Sequence, residues 1–205
     1  MADTAVLEQS TADPQRYFWY GVWTLIMIVT ALPLVGVVRV PRVFDYVATL
    51  VIHELAAFLY FGHTFFSNVW AMRIRQSQPE ATGIWARAFL RKLCLGITAP
   101  TAVIVPLFGL MLIEEWGGLL NAPWAWDAYF AFWLMAGFSV IPDTIRYGRN
   151  RNADNPAHGM KSGAIRGMLA LVVVLYILVW CMIAKQSLFA APILGVLGLA
   201  GAAGT

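Results

Sequence analysis

Charge is scarce in this chain. Only 12% of its 205 residues are Asp, Glu, Lys or Arg, while 60% are hydrophobic; soluble domains carry about 25% charged residues. So few charges cannot cover a water-facing surface, and the sequence reads as a membrane protein. Cysteine is nearly missing as well: Cys94 and Cys181 are the only two. Without a C-x-x-C spacing they make neither a structural zinc site nor a redox pair, and their places near opposite ends of expected helices exclude a disulfide between them. Long polar stretches are also lacking, which leaves a single integral membrane domain over residues 1–205. A cleavable signal is not expected, because Asp3, Glu8 and Asp13 precede an apolar run too long for a signal core.

What is present is a series of apolar windows. Five transmembrane helices are expected at about 17–38, 43–72, 93–113, 125–141 and 164–184, each near the ~20 residues a bilayer requires. A sixth apolar stretch, residues 188–204, is dominated by Ala and Gly and stays open between a weak span and a packed tail. The fold class is an all-α helical bundle. Basic residues gather in two connections, Arg73 to Lys92 and Arg146 to Arg166, whereas the third-to-fourth connection offers Glu114, Glu115 and Asp127. That asymmetry predicts a multi-pass membrane protein with a cytoplasmic amino terminus. The pI near 9.0 then reflects topology and gives no reason to expect nucleic acid.

Local features follow from the same chemistry. Trp85 and Phe89 sit four apart among basic residues, predicting an amphipathic turn along the inner surface. Pro33, Pro100 and Pro106 predict helix kinks, with Thr98 and Thr101 placed to bond the carbonyls freed. Trp70, Trp85, Trp116, Trp124, Trp126 and Trp180 fall at expected span ends and read as interfacial anchors. His158 falls in a polar loop and reads as solvated.

The second helix is the unusual one. Within HELAAFLYFGHTFFSN, residues 53–68, a turn of 100° per residue places Ala57, Tyr60, Thr64 and Ser67 near the azimuth of His53. Glu54 and Asn68 flank this stripe, and His63 lies on its other side. A polar stripe facing lipid costs several kcal/mol, so it should face the bundle interior, a cofactor or a partner. His53 and His63, about 15 Å apart along the helix, cannot share a small ion. A haem is the better fit: His53 is the candidate axial ligand, Tyr60, His63 and Thr64 line the same region, and Ala56 and Ala57 leave room for a macrocycle. The second ligand would be Met111, Met135 or Met168, a partner's side chain, or none. Glu54 is a candidate proton carrier. The alternative reading is that these side chains only hydrogen-bond between helices.

His53, Tyr60 and Gly62 match the pattern of histidine, aromatic seven residues later, then glycine, found in the first core helix of CopD-type copper-resistance and HemJ-type membrane proteins. The continuation FLYFGHTFFSNVWAMRIRQSQ, with RKLCLGITAPTAVIVPLFGLML after it, resembles an uncharacterised bacterial integral-membrane family of that group. The resemblance covers Tyr46 to Arg146. It implies a four-helix core from the second to the fifth span, an added amino-terminal helix, and b-type haem held by His53. HemJ-type proteins pair that histidine with a lysine on a later core helix; near Trp126 to Phe130 this chain has Asp127 instead. That departure argues against protoporphyrinogen oxidase activity, and no complete catalytic set is present. CopD-type copper handling lacks the clustered Met and His it would need.

Three functions are in contention. One is a haem-binding redox protein. The second is a non-catalytic accessory subunit of a larger membrane complex, or a homo-oligomer, for which the Gly195, Gly198, Gly201, Gly204 spacing would supply a packing face. A carrier or channel is the weakest, because buried charges are few and no inverted repeat is evident.

Overall fold

The computed structural model describes residues 14–140 and 160–199. Every element among the described residues is helical. Three helical stretches are long and apolar enough to cross a membrane: Tyr46–Ile74, Gly96–Trp116 and Ile165–Ile183. The chain is therefore an all-helical membrane protein. Two of the five expected spans fall short of that measure, each for an identifiable reason. The polar loop with His158 and most of the second basic connection lie outside the described residues.

Helix α1 (Pro14–Ala31) gives way to a tight turn, Leu32–Val35. Its apolar stretch, Tyr20–Val35, is the shorter for it. The kink expected at Pro33 is instead a terminus: proline lacks the N–H that a continuing helix needs but suits the first turn of a new segment, and Pro33 is buried there. Gly36 closes the turn at φ 75°, and a Cβ in its place would meet Leu120 at 2.7 Å.

Helix α2 (Tyr46–Ser77) is capped by Asp45, whose carboxylate accepts from the Ala48 N–H at 3.0 Å. It stops ahead of Pro79, since the residue before a proline disfavours helical backbone. Helix α3 (Glu80–Leu93) then runs through a wide, π-type turn, Cys94–Thr98, into α4 (Ala99–Ile113). The expected basic connection is thus itself helical, and α2 with α3–α4 forms a hairpin. Trp85 and Phe89 stack at 5.7 Å on an exposed face of α3. The wide turn lies just before Pro100, which cannot donate to the Gly96 carbonyl; Ala99 reaches back five residues to Cys94 instead. Thr101 bonds the Ile97 carbonyl at 2.6 Å, while the Thr98 hydroxyl is taken by His63. Neither described threonine hydroxyl bond goes to the carbonyl that Pro100 frees, so the expected rescue is replaced by the wide turn.

Helix α5 (Pro123–Met135) continues into a second wide turn, Ala136–Val140. It is the most enclosed helix, with Trp126, Ala128, Phe132 and Met135 all in the core. Because protein rather than lipid surrounds it, Trp, Tyr and Asp127 are tolerated there, and they hold its hydropathy below that of the spans. Helix α6 (Met160–Leu175) likewise passes into a wide turn, Tyr176–Ile183. Helices α2, α4, α5 and α6 pack together around Ala56, Tyr60, Val105, Phe132 and Val174. Helix α1 lies at the edge: Phe18, Leu25, Ile28 and Val29 are all more than half exposed, and Met27 comes near the wide turn after α5, where a Cβ at Gly137 would stand 3.7 Å from its methyl group.

The carboxyl-terminal stretch settles as a packed tail across the described residues. Helix α7 (Ala190–Val196) is far too short to span. It folds over one end of the bundle, called here the tail end, where Ala190 and Leu194 bury against Leu110, Leu119, Trp126 and Tyr129. Gly198 turns the chain at φ 70° beyond it, so Gly195 and Gly198 do not share a helical face. Trp126 is also reassigned: it is a core residue whose indole N–H donates to the Leu34 carbonyl at 2.8 Å, tying the turn after α1 to α5.

Helices α2 and α6 approach closely at Gly167, where a Cβ would run into the Asn68 amide. Asn68 is itself fixed by donating to the Thr64 carbonyl at 2.8 Å. Gly167→Leu should therefore destabilise the bundle by about 1–3 kcal/mol, read as a lower thermal midpoint in detergent. Adding Asn68→Ala should recover part of that loss; no recovery would mean that the contact is not what limits the approach.

Candidate functional site

Two polar groups stand out in the membrane-embedded body. The first is the seam between α2 and α4, which run antiparallel. The His53 Nδ1 lies 2.9 Å from the Val105 carbonyl oxygen. A carbonyl only accepts, so Nδ1 carries the proton and donates, and in the neutral ring the lone pair sits on Nε2. Gly109 makes the approach feasible, since a Cβ there would stand 3.1 Å from the His53 ring. Nearly three turns further along, His63 Nδ1 and the Thr98 hydroxyl meet at 2.8 Å. Both histidines thus face α4, although the helical wheel set His63 aside from the stripe.

Between them, Ala56 and Tyr60 are buried in the core. The Tyr60 ring packs on Phe61 and Phe132, each with centroids 5.2 Å away. Thr64 contributes its carbonyl, which takes the Asn68 amide. Of the four residues expected around a cofactor, Tyr60 and Thr64 serve the packing of the bundle. His63 is spent on Thr98, with its Nε2 buried and unpartnered. His53 alone keeps an available ring nitrogen: Nε2 has no partner among the described residues and is not among the enclosed atoms. Glu54 is exposed on the flank of α2 rather than buried.

The second group was missed by the sequence reading, which placed Asp127 in a connection. Asp127 is 0% exposed, in the second turn of α5. Four donors converge on its carboxylate. Oδ2 accepts from the Tyr176 hydroxyl at 2.5 Å, the Leu188 N–H at 2.6 Å and the Phe189 N–H at 2.9 Å, and Oδ1 accepts from the Ala190 N–H at 2.6 Å. Three successive backbone N–H groups at the start of α7 form a nest for the acid. Bonds to a charged partner are worth about 1.5–3 kcal/mol each, so this is the strongest polar anchor described. The signal in the sequence was an acid inside the aromatic run PWAWDAYFAFW, too apolar a setting for a solvated charge.

The loop between α6 and α7 joins the two groups. Lys185, at φ 54°, is the one non-glycine residue described with positive φ. Its ammonium sits 3.6 Å from the centre of the Trp124 ring. Partial burial lowers Lys185 from its ordinary value, and the Glu54 carboxylate opposes that. Lys185 and Glu54 both act electrostatically on His53. Nearby, Arg42 pairs with Glu115 and lies over the Tyr46 ring at 5.8 Å. No cluster of three or more His, Cys, Asp or Glu with metal-binding geometry occurs among the described residues.

The chain matches no protein-family model, no curated protein and no solved structure.

Two substitutions test this geometry. Asp127→Asn can keep an acceptor toward Tyr176, Leu188 and Phe189 only by turning its amide N–H toward the Ala190 N–H. A loss of about 2–4 kcal/mol is expected, measurable by thermal unfolding; a neutral result would contradict the nest. Gly109→Val should push the His53 ring off Val105 and lower stability by about 1–3 kcal/mol, whereas an unchanged melting curve would show that the ring does not pack there.

Proposed function

We propose that the chain is a membrane protein that binds b-type haem, with the His53 Nε2 as axial ligand. The observation that carries this reading is the Nδ1–H bond to the Val105 carbonyl. Histidines that ligate metals almost always donate their other ring N–H to a carbonyl or carboxylate, which fixes the tautomer and strengthens the ligand. Here that arrangement comes with an apolar bundle and an unpartnered Nε2.

The donor chemistry of His53 fits the group. The room first expected beside it does not lie where Ala56 and Ala57 suggested, because Ala56 is packed into the core. Among the methionines first considered, Met111 and Met135 are buried in the core and Met168 is exposed on α6; we read the haem as held by His53 alone or with a second ligand from a partner chain. A bound haem would supply one-electron redox chemistry. The chain's part is to hold the imidazole in one tautomer and to exclude water from the ring. Glu54, beside His53 and answered by Lys185, is placed to exchange a proton with the surface. The protein would sit in a bacterial inner membrane with the α2–α3 hairpin turn toward the cytoplasm, where Arg73 and Lys92 lie.

A second reading is favoured by α1. Its outer face is apolar and exposed, and Trp23 Nε1 is buried without an acceptor. An accessory subunit of a larger membrane complex, or a homo-oligomer, would use such a face.

Purified from haem-replete cells, the protein should show a Soret band that His53→Ala abolishes and Glu54→Gln leaves in place. A colourless preparation that takes up no added hemin would defeat the haem reading. A stable membrane partner that co-purifies in mild detergent, and that is lost on deleting α1, would favour the second.

A further inference from the structure

The segment Ala184–Ala190 leaves the end of α6 and crosses the tail end to reach α7. Its local conformation is unfavourable. Lys185 adopts the left-handed region that side chains avoid, and the Ser187 hydroxyl is buried without a partner. Little within the segment offsets this: Gln186 N–H reaches the Trp180 carbonyl at 3.0 Å, and Leu188 is exposed. What holds it down is the pair of anchors at its far end, the burial of Ala190 and the Asp127 carboxylate, which takes three successive N–H groups of the segment. Phe189 also packs on Tyr176 and Phe130, but the polar anchoring is concentrated on one acid, and a strained segment held in this way is a two-state element.

We infer that Asp127 is a latch: its carboxylate holds the Ala184–Ala190 strap closed over the tail end and thereby sets the Lys185 ammonium on Trp124. With the latch open, the strap relaxes, Lys185 leaves the Trp124 ring, and the ends of α4 and α5 under α7 are uncovered. Tyr176 braces the acid from α6. The latch does not depend on haem. Its consequence for a ligand does rest on the haem reading: Lys185 is the cation positioned to meet an anionic group, such as a propionate, on a ligand held at His53.

The full-length protein in detergent tests this. In a Cys94→Ser background, Ser187→Cys places a thiol where the buried hydroxyl lies, and Cys181 stays fully buried. Its labelling by a water-soluble maleimide should be slow. Adding Asp127→Asn should speed it by about tenfold or more, as losing roughly one strong bond implies, while helix content is kept. Tyr176→Phe, which removes one donor and leaves the acid, should give a smaller rise in the same direction and decides the matter if Asp127→Asn does not fold. Unchanged labelling in the folded variants would overturn the latch. Hemin titration separates the two ideas. If the parent binds hemin, Asp127→Asn and Lys185→Gln should each weaken it several-fold, and together no more than either alone; full additivity would remove Lys185 from the latch's reach. If the parent binds none, the haem reading falls and the labelling rates still judge the latch.

Discussion

Hydrocarbon offers no water to a stray hydrogen-bonding group, and this constraint arranges the bundle. An unsatisfied polar group in lipid costs several kcal/mol, and four polar side chains of these helices are turned toward partners. His53 finds Val105, His63 finds Thr98, Asn68 finds Thr64 and Asp127 finds four donors. The partners are mostly backbone, which ties the placement of each side chain to the path of a neighbouring helix. Small residues at the contact points, Gly109 and Gly167, let the helices come close enough.

The same bonds give the molecule two tiers of rigidity. The α2–α4 hairpin and α5 form a seam closed by aromatic packing and by the histidines. The tail end is held differently, with a strained segment pulled onto the bundle by one acid. An acid in this position lets a short helix of seven residues (Ala190–Val196) stay docked, although its buried area alone is small. It also places the only cation of that loop over the Trp124 ring.

Much of this was legible from the residues. The long α2, the apolar α4 and the α6 span follow from uninterrupted hydropathy, and the polar stripe on α2 announced a face turned inward. The kind of partner was not legible, because a backbone carbonyl leaves no trace in composition: nothing in the sequence pairs His53 with Val105 rather than with a side chain. Pro33 read as a kink because helical periodicity continues past it, yet the tight turn ends the helix there. Asp127 and Trp126 were misassigned for one reason, namely that α5 is enclosed by protein. Its hydropathy falls as its burial rises, and an acid near its start looks like the end of a span. The tail, rich in Ala and Gly, carries too little hydrophobicity to declare itself; its fate is decided by N–H groups that any sequence would supply.

The capacity of His53 to hold a ligand turns on the protonation of its ring. Nitrogen-15 shifts of His53 in the protein reconstituted in lipid bilayers, assigned against His53→Gln, report which ring nitrogen bears hydrogen. A protonated Nδ1 with a bare Nε2, shifting when Gly109→Val disturbs the neighbouring helix, is the predicted result. A ring protonated on Nε2, indifferent to that substitution, would contradict the account, because the imidazole would then be neither held by Val105 nor open to a ligand.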